Sequence, residues 1–128
     1  MPELPEVETV VRTLRPRVVG RRIVEVRALS RLVVPRSIGK AAGGTVQAVR
    51  RLGKHILVEL DHGILDIHLG MTGAVLVNGE PGPYTRAWFR LDFGTLIYND
   101  VRQFGRIRFG KQAPAGLGPS GSNPYRAR

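Results

Sequence analysis

The stretch KHILVELDHGILDIHL, residues 54–69, decides the fold. It holds two apolar runs that alternate with a period of two, a pattern that predicts two β-strands. Between the runs lies Asp-His-Gly, which predicts a tight hairpin with His62 and Gly63 at the bend. The fold is therefore expected to be built on antiparallel strand pairs.

Six other segments show the same period, and a second tight hairpin is predicted at Gly94-Thr95. The segments are RIVEVRAL (22–29), TVQAVRRL (45–52), GAVLV (73–77), RAWFRLDF (86–93), TLIYN (95–99) and GRIRF (105–109). Eight short strands divided by turn residues favour an antiparallel sandwich or barrel over a parallel sheet. We predict a mainly β protein, a two-sheet antiparallel β-sandwich.

The N-terminal segment has a helical period instead. Its apolar residues fall at i, i+3, i+4 and i+7, namely Val7, Val10, Val11 and Leu14. Pro16 is expected to kink or end this helix, and Gly20 to stop it. SIGKAAGG, residues 37–44, fits either a loop or one further short helix.

The chain is expected to form one domain over residues 1–111. At 128 residues it is long enough for one core. Residues 112–128 are rich in glycine and proline without periodicity, which is typical of a tail or linker. There is no cysteine, so these residues contain neither a disulfide nor a thiolate zinc site. No metal site and no cofactor are predicted.

The charge favours a polyanionic partner, nucleic acid above all. The net charge is +10 and the isoelectric point about 11.4. Seventeen of the twenty basic residues are arginine, which suits bidentate phosphate contacts. No apolar run approaches the roughly 20 residues that span a bilayer, so we expect no membrane partner and a cytoplasmic location.

Pro2 is a candidate nucleophile. Cells normally remove an initiator methionine before a small residue, and the chain would then begin with a secondary amine. An α-amine is more often neutral at physiological pH than a lysine side chain, and a secondary amine forms an iminium directly. Glu3 beside it could move the proton that this step requires. Many unrelated proteins begin Met-Pro-Glu, so this signal is weak alone.

Five further residues have two readings each. Met71 in HLGMTG, with Arg102 and Phe104 in NDVRQFGRIRF, fits either ordinary turns or side chains that wedge into a base stack. Lys54 fits a strand-edge charge or a phosphate contact. His68 fits a hydrogen-bonded strand histidine or a phosphate ligand.

Taken in order, PELPEVET, RRLGKHILVEL, HLGMTG and DVRQFGRIRF resemble the N-terminal domain of bacterial formamidopyrimidine-DNA glycosylase. The resemblance covers about residues 1–111. It implies a base-excision-repair glycosylase and AP lyase that acts on oxidised purines such as 8-oxoguanine and formamidopyrimidines. Its partner would be double-stranded DNA with a damaged purine or an abasic site. The sequence does not indicate an oligomeric state, and a monomer is the default expectation.

The resemblance also assigns the residues. Pro2 matches the nucleophile that attacks C1′, Glu3 the acid/base residue, and Glu6 a carboxylate that helps to hold the N-terminus. Lys54 matches the lysine near the lesion and its phosphate, and His68 a phosphate contact. The remaining three match the side chains that fill the gap left by the flipped nucleotide, namely Met71, Arg102 and Phe104, with Arg102 facing the orphaned cytosine.

Two departures lower the expected activity. The family continues into a helix-two-turn-helix region and a four-cysteine zinc finger, neither of which is in these 128 residues, and Gln103 stands where many relatives have arginine. We therefore expect a truncated form with weak, salt-sensitive DNA binding and at most residual lyase activity. The alternative is a non-catalytic basic β-sandwich that binds nucleic acid.

Overall fold

The computed structural model describes residues 4–111, which form one α-helix, one short 3₁₀ helix and eight strands. In chain order these elements are α1 (Leu4–Val18), β1 (Ile23–Ala28), the 3₁₀ helix (Arg36–Ala41), β2 (Val46–Leu52), β3 (His55–Leu60), β4 (Gly63–His68), β5 (Gly73–Val77), β6 (Thr85–Leu91), β7 (Thr95–Asp100) and β8 (Arg106–Gly110). The predicted 112–128 tail, Pro2 and Glu3 lie outside the described residues.

The strands form two four-stranded antiparallel sheets. The first has the order β1-β6-β7-β5 and the second β2-β3-β4-β8. Their inward faces share one apolar core, in which Phe89 of the first sheet and Ile56 and Ile107 of the second are at most 1% exposed. The predicted mainly β, two-sheet antiparallel sandwich is confirmed.

A helix closes each open side of the sandwich. Helix α1 contacts β2 and β5, which are edge strands of the two sheets, and the 3₁₀ helix contacts the other two edge strands, β1 and β8. The undecided segment 37–44 therefore contributes a short helix. With both sides covered, the turns and loops at the two ends of the sandwich are left to present side chains to a partner.

Helix α1 buries one stripe against the core. The stripe, no more than 1% exposed, consists of Val7, Val11, Leu14 and Val18, with Val10 half-buried beside it. Pro16 does not end the helix, which continues to Val18. The proline is exposed in the last turn, where burial of Val18 offsets the missing backbone hydrogen bond. Gly20, at φ +88°, ends the segment as predicted.

The hairpin in residues 54–69 is confirmed, with its turn one residue earlier than predicted. Asp61 and His62 form the turn, and Gly63 is the first residue of β4. A side chain at Gly63 would collide with the Phe109 ring, so this glycine serves close packing. In the second hairpin, Gly94 at φ +92° closes the turn and Thr95 begins β7.

Within residues 4–111, no helix has the length and apolar content that crossing a bilayer requires.

Leu14→Ala should lower the free energy of unfolding by about 2–5 kcal/mol, because it opens a cavity between α1 and the sheets. Alanine is a better helix former than leucine, so the loss would come from packing. Urea unfolding measures it. The matched control is Leu32→Ala, at a side chain 59% exposed, which should stay within about 0.5 kcal/mol of the wild type. Equal losses in the two variants would contradict a core role for Leu14.

Candidate nucleic-acid interface

Four segments meet at one end of the sandwich, called here the loop end. They are the start of α1, the β2–β3 turn (53–54), the β4–β5 loop (69–72) and the β7–β8 loop (101–105). The strand register brings them together, since His68 at the end of β4 lies opposite both His55 at the start of β3 and Arg106 at the start of β8. This end is built from sequence segments up to about a hundred residues apart.

An ion pair holds the start of α1 at the loop end. Arg51 at the end of β2 donates from Nε to Glu8 Oε1 at 3.1 Å and from Nη1 to the Gly53 carbonyl at 3.1 Å. One guanidinium thus joins the second turn of α1 to the turn that carries Lys54. The helix N-terminus is fixed beside that turn.

A buried carboxylate joins the β4–β5 and β7–β8 loops. Asp100, fully buried, accepts hydrogen bonds on Oδ1 from the Thr72 hydroxyl (2.6 Å) and the Gln103 backbone N–H (3.0 Å). On Oδ2 it accepts from the Tyr98 hydroxyl (2.9 Å) and the Gly105 backbone N–H (2.8 Å). Four donors satisfy the charge, so the two loops are held as one unit.

The ionisation of Asp100 follows from these contacts. Burial raises the pKa of Asp100, but the hydrogen bonds from Thr72, Gly105, Tyr98 and Gln103 outweigh it and leave the pKa below its usual value. Burial, together with the bond to this carboxylate, raises the pKa of the Tyr98 phenol far above its usual value. The pair is therefore a phenol donating to a carboxylate at neutral pH.

Glycines allow the two loops to touch. A Cβ on Gly70, which has φ +62°, would lie 2.6 Å from the Phe104 carbonyl carbon and from the Gly105 nitrogen. A Cβ on Gly105 would collide with the Tyr98 hydroxyl. Both positions need glycine because backbone or buried polar atoms occupy the space of a side chain.

Three of the predicted residues project from this braced unit. Met71 is 48% and Phe104 51% exposed, and the Arg102 guanidinium lies 4.9 Å from the centroid of the Phe104 ring. For Met71, the ordinary-turn interpretation also predicts a side chain packed in the core, and the exposure of Met71 shows that this is wrong. Exposed apolar side chains on a rigid loop pair suit insertion into a stack of bases.

The β7–β8 loop has a second brace. Ser30 Oγ lies 2.5 Å from Gln103 Oε1, which joins the loop after β1 to a residue held at φ +57°. Arg86 donates to the Asp100 and Val101 carbonyls at 2.9 and 3.4 Å. Gln103 thus serves as part of the support of the β7–β8 loop.

His68 is neutral near pH 7. Burial lowers its pKa, and repulsion from His55 and Lys54 adds to that effect against the opposing charge of Asp66. Its Nδ1 accepts the Gly70 N–H at 3.3 Å, which places the proton of the neutral ring on Nε2. His68 can therefore donate a hydrogen bond from Nε2 to a ligand oxygen.

The structure brings six of the predicted site residues to the loop end. Half-buried Lys54 is in the β2–β3 turn, and His68, Met71, Arg102 and Phe104 lie in or next to the two loops. Glu6 is in the first turn of α1, at the same end. Pro2 and Glu3 lie outside the described residues. The chemical roles of all eight stay predictions.

Sequence reasoning missed the residues that support the site. Asp100 follows one predicted strand and Thr72 precedes another, and the sequence around each has the composition of an ordinary turn. A polar residue at the end of a strand, before a loop with exposed aromatic and basic residues, was the available signal. Of the four partners of Asp100, Thr72 lies 28 residues away, and this contact between two loops does not follow from the local sequence.

A groove of about 730 Å³ lies between the C-terminal half of α1 and β2, where Arg15 donates to the Val49 carbonyl. That groove is away from the two loops. No group of three or more metal-ligating side chains occurs within residues 4–111.

Residues 1–107 match the family described as "Formamidopyrimidine-DNA glycosylase N-terminal domain". The chain belongs to this family. Formamidopyrimidine-DNA glycosylase of Solibacter usitatus is 44% identical over 128 residues, covering 93% of this chain and 48% of the relative. That of Thermus thermophilus is 44% identical over 110 residues, covering 84% and 39%. The chain thus spans less than half of the length of these relatives.

Solved structures of formamidopyrimidine-DNA glycosylase show the same fold. The Lactococcus lactis enzyme non-covalently bound to DNA containing an AP site has a TM-score of 0.79 and 33% identity, covering 85% of this chain and 45% of that one. Its complex with DNA containing FAPY-dG has a TM-score of 0.78 and 33% identity, covering 84% and 43%. The predicted resemblance to the family's N-terminal domain is confirmed.

In this glycosylase-family domain, Asp100→Asn should reduce the free energy of unfolding near pH 7 by about 2–4 kcal/mol, because an amide cannot accept all four hydrogen bonds. The stability that Asp100 contributes is present above the ordinary carboxyl pKa of about 4 and is lost as pH falls through the lower folded pKa. The difference between variant and wild type should therefore shrink as pH falls below about 4.

Denaturant unfolding across this pH range is the measurement. Asp92→Asn is the control, since exposed Asp92 accepts the Arg22 N–H at 3.2 Å in a turn at the other end of the molecule. It should change stability by less than about 1 kcal/mol. A pH-independent difference for Asp100→Asn would show that the Asp100 charge does not stabilise the fold.

Proposed function

We propose that this chain is the catalytic half of a base-excision-repair DNA glycosylase and AP lyase that acts on oxidised purines in duplex DNA. Pro2 is the nucleophile, and the substrates are lesions such as 8-oxoguanine and formamidopyrimidines, or the abasic sites that their removal leaves. Family membership supports this proposal. So do the Lactococcus lactis complexes, whose DNA contains an AP site or FAPY-dG.

One observation carries the proposal: the start of α1 and the two exposed loops are fixed at the same end of the molecule. The Glu8–Arg51 pair holds the helix start, and Asp100 holds the loops. Pro2 is two residues before Leu4, so chain length keeps its nitrogen within about 7 Å of the helix start. The Pro2 amine and the exposed side chains of Met71, Arg102 and Phe104 could thus act on the same nucleotide.

The reaction follows from the chemistry of a secondary amine. The Pro2 nitrogen attacks C1′ of the damaged nucleoside, and the bond from C1′ to the base breaks. Opening of the sugar ring gives an iminium between the nitrogen and C1′, with Glu3 exchanging the proton. The iminium acidifies C2′–H, and loss of that proton expels the 3′ phosphate. The conjugated iminium that results acidifies C4′–H, and loss of this second proton expels the 5′ phosphate, which completes β,δ-elimination.

The wedge makes C1′ accessible. A damaged nucleotide must leave the base stack before attack, at a cost of a few kcal/mol. Met71 and Phe104 replace part of the lost stacking, and Arg102 donates to the base left opposite. His68 and Lys54 hold the adjoining phosphate, and the net charge of +10 draws in the duplex.

Phe104→Ala should weaken binding to a duplex with an abasic-site analogue by about tenfold, since one stacking contact contributes about 1–3 kcal/mol. Phe93→Ala is a matched control. Phe93 is 74% exposed and also lies against an arginine, Arg21, at 5.9 Å, but it is in the β6–β7 turn at the other end. Fluorescence anisotropy at low salt compares the two. Equal effects would contradict a wedge at the loop end.

Borohydride trapping tests the nucleophile. The 128-residue chain, mixed with abasic-site DNA and borohydride, should give a covalent adduct, because borohydride reduces the iminium to a stable amine. An N-terminal extension should abolish the adduct and Pro2→Gly should reduce it. Mass spectrometry of the N-terminus is the control, since retained Met1 would exclude the amine mechanism.

The trapping result also separates the two functions considered from the sequence. No adduct, or an adduct unchanged in the extended form, would defeat the amine mechanism. Duplex binding that persists in that case would identify a non-catalytic DNA-binding domain.

A further inference from the structure

A second imidazole lies beside His68 at the loop end. His55, the first residue of β3, faces His68 across the strand pair, with the ring centroids 4.9 Å apart and the planes inclined at 58°. Its Nδ1 lies 2.6 Å from Oδ1 of Asp66, two residues before His68 on the same face of β4. Neither His55 nor Asp66 has a role in the mechanism proposed above.

The contact with Asp66 fixes the hydrogen-bonding capacity of His55. A carboxylate only accepts hydrogen bonds, so Nδ1 of His55 carries the proton that it donates. Nε2 is then the nitrogen left for a ligand. The His55 side chain is 23% exposed and that of Asp66 10% exposed, so the carboxylate is nearly covered while the ring reaches solvent.

The surrounding charges favour an anion at this position. Lys54 adjoins His55 in the chain and acts electrostatically on His68. On β8, Arg106 lies opposite His68 and Arg108 opposite Asp66, and the Arg106 guanidinium bonds the Gln103 and Gly105 carbonyls.

On β2, Arg50 pairs with Glu59 at 3.6 Å, so that cation is balanced within the outer face of the sheet. Arg51 is held by Glu8. Asp66 is the acidic group bonded to His55, and its charge also acts on His68. With Lys54, Arg106 and Arg108 against this one carboxylate, the charge of the corner is positive even with both rings neutral, and protonation of a ring adds to it.

We propose that His55 is a second phosphate-binding side chain of the loop end, and that Asp66 is a positioning residue that directs Nε2 of His55 to the same phosphate as His68. This inference rests on the proposed DNA binding and adds a residue to it. Two rings with centroids 4.9 Å apart can each reach one non-bridging oxygen of a single phosphodiester.

Phosphate binding at this pair takes up a proton. Neutral His68 already has a hydrogen on Nε2, because its Nδ1 accepts from Gly70. Neutral His55 has its hydrogen on Nδ1, so its Nε2 must be protonated before it can donate to phosphate. Asp66 on one side and the phosphate on the other stabilise the resulting imidazolium. Binding should therefore strengthen as the pH falls.

The test measures the affinity of the 128-residue chain for a duplex with a tetrahydrofuran abasic-site analogue. This analogue lacks the aldehyde that a Schiff base requires, so the result does not depend on Pro2. Wild type should bind roughly tenfold more tightly near pH 6 than near pH 8, about the effect of one charge-assisted hydrogen bond. His55→Gln should remove most of this gain and change the affinity near pH 8 little.

Three further variants define the roles. Asp66→Asn, like His55→Gln, should reduce the gain in affinity between pH 8 and pH 6. The double variant His55→Phe/Asp66→Leu removes the pair without leaving a buried charge, and should match His55→Gln. His62→Gln, at an exposed histidine of the opposite end, should bind as wild type does at each pH.

Nitrogen-15 NMR of the imidazoles, without DNA, adds an independent check. His55 should show the Nδ1–H tautomer when neutral, and an Nε2–H tautomer would overturn the proposal. So would an unchanged pH dependence in His55→Gln, or a loss that is equal at both pH values. Absence of duplex binding would overturn both this inference and the proposed DNA binding. Proton-linked binding without a trapped adduct would leave the inference intact and refute only the Pro2 chemistry.

Discussion

The loop end depends on one buried negative charge, that of Asp100. A carboxylate removed from water must be compensated by hydrogen bonds, and here two side chains and two backbone N–H groups supply them. Two of these donors, Thr72 and Gln103, belong to different loops. Moving either loop would leave the Asp100 carboxylate without one of its donors. The free-energy cost of an incompletely hydrogen-bonded buried charge therefore holds both loops in position. The conformational entropy of these two loops is therefore lost on folding, before any partner binds.

This constraint explains why apolar side chains are tolerated on the surface. Met71 and Phe104 are about half exposed, and their apolar atoms gain nothing from contact with water. Their exposure is costly for solubility unless a partner covers them. The basic surface beside them suits a partner that has both stacked apolar faces and a regular array of negative charges. Duplex DNA has both properties, and a rigid, open end meets it without a cavity.

The sequence predicted the sandwich because the period-two runs are local and strong, as in KHILVEL and ILDIHL. It located the hairpin only to within one residue, because whether Gly63 belongs to the turn or to β4 depends on the Phe109 ring packed against it. The helix continues past Pro16 for a related reason, since burial of Val18 is a tertiary effect. The site residues came from motifs, whereas their support could not, because the bond from Ser30 to Gln103 spans 73 residues.

Asp100 and Asp66, two of the carboxylates at or near the loop end, differ in the groups that balance their charge. This difference fits Asp100 to holding the loops and Asp66 to the role proposed for it above. Asp100 is balanced by a phenol, a hydroxyl and backbone amides, none of which changes charge near neutral pH, so its contacts hold the loops in one arrangement. Asp66 is balanced by an imidazole, whose charge can change in that range. A negatively charged ligand would change the electrostatic environment of the Asp66–His55 pair and leave the hydrogen bonds of Asp100 unchanged. The loop end thus combines loops that Asp100 holds in one arrangement with a histidine–carboxylate pair for which we propose proton-linked phosphate binding.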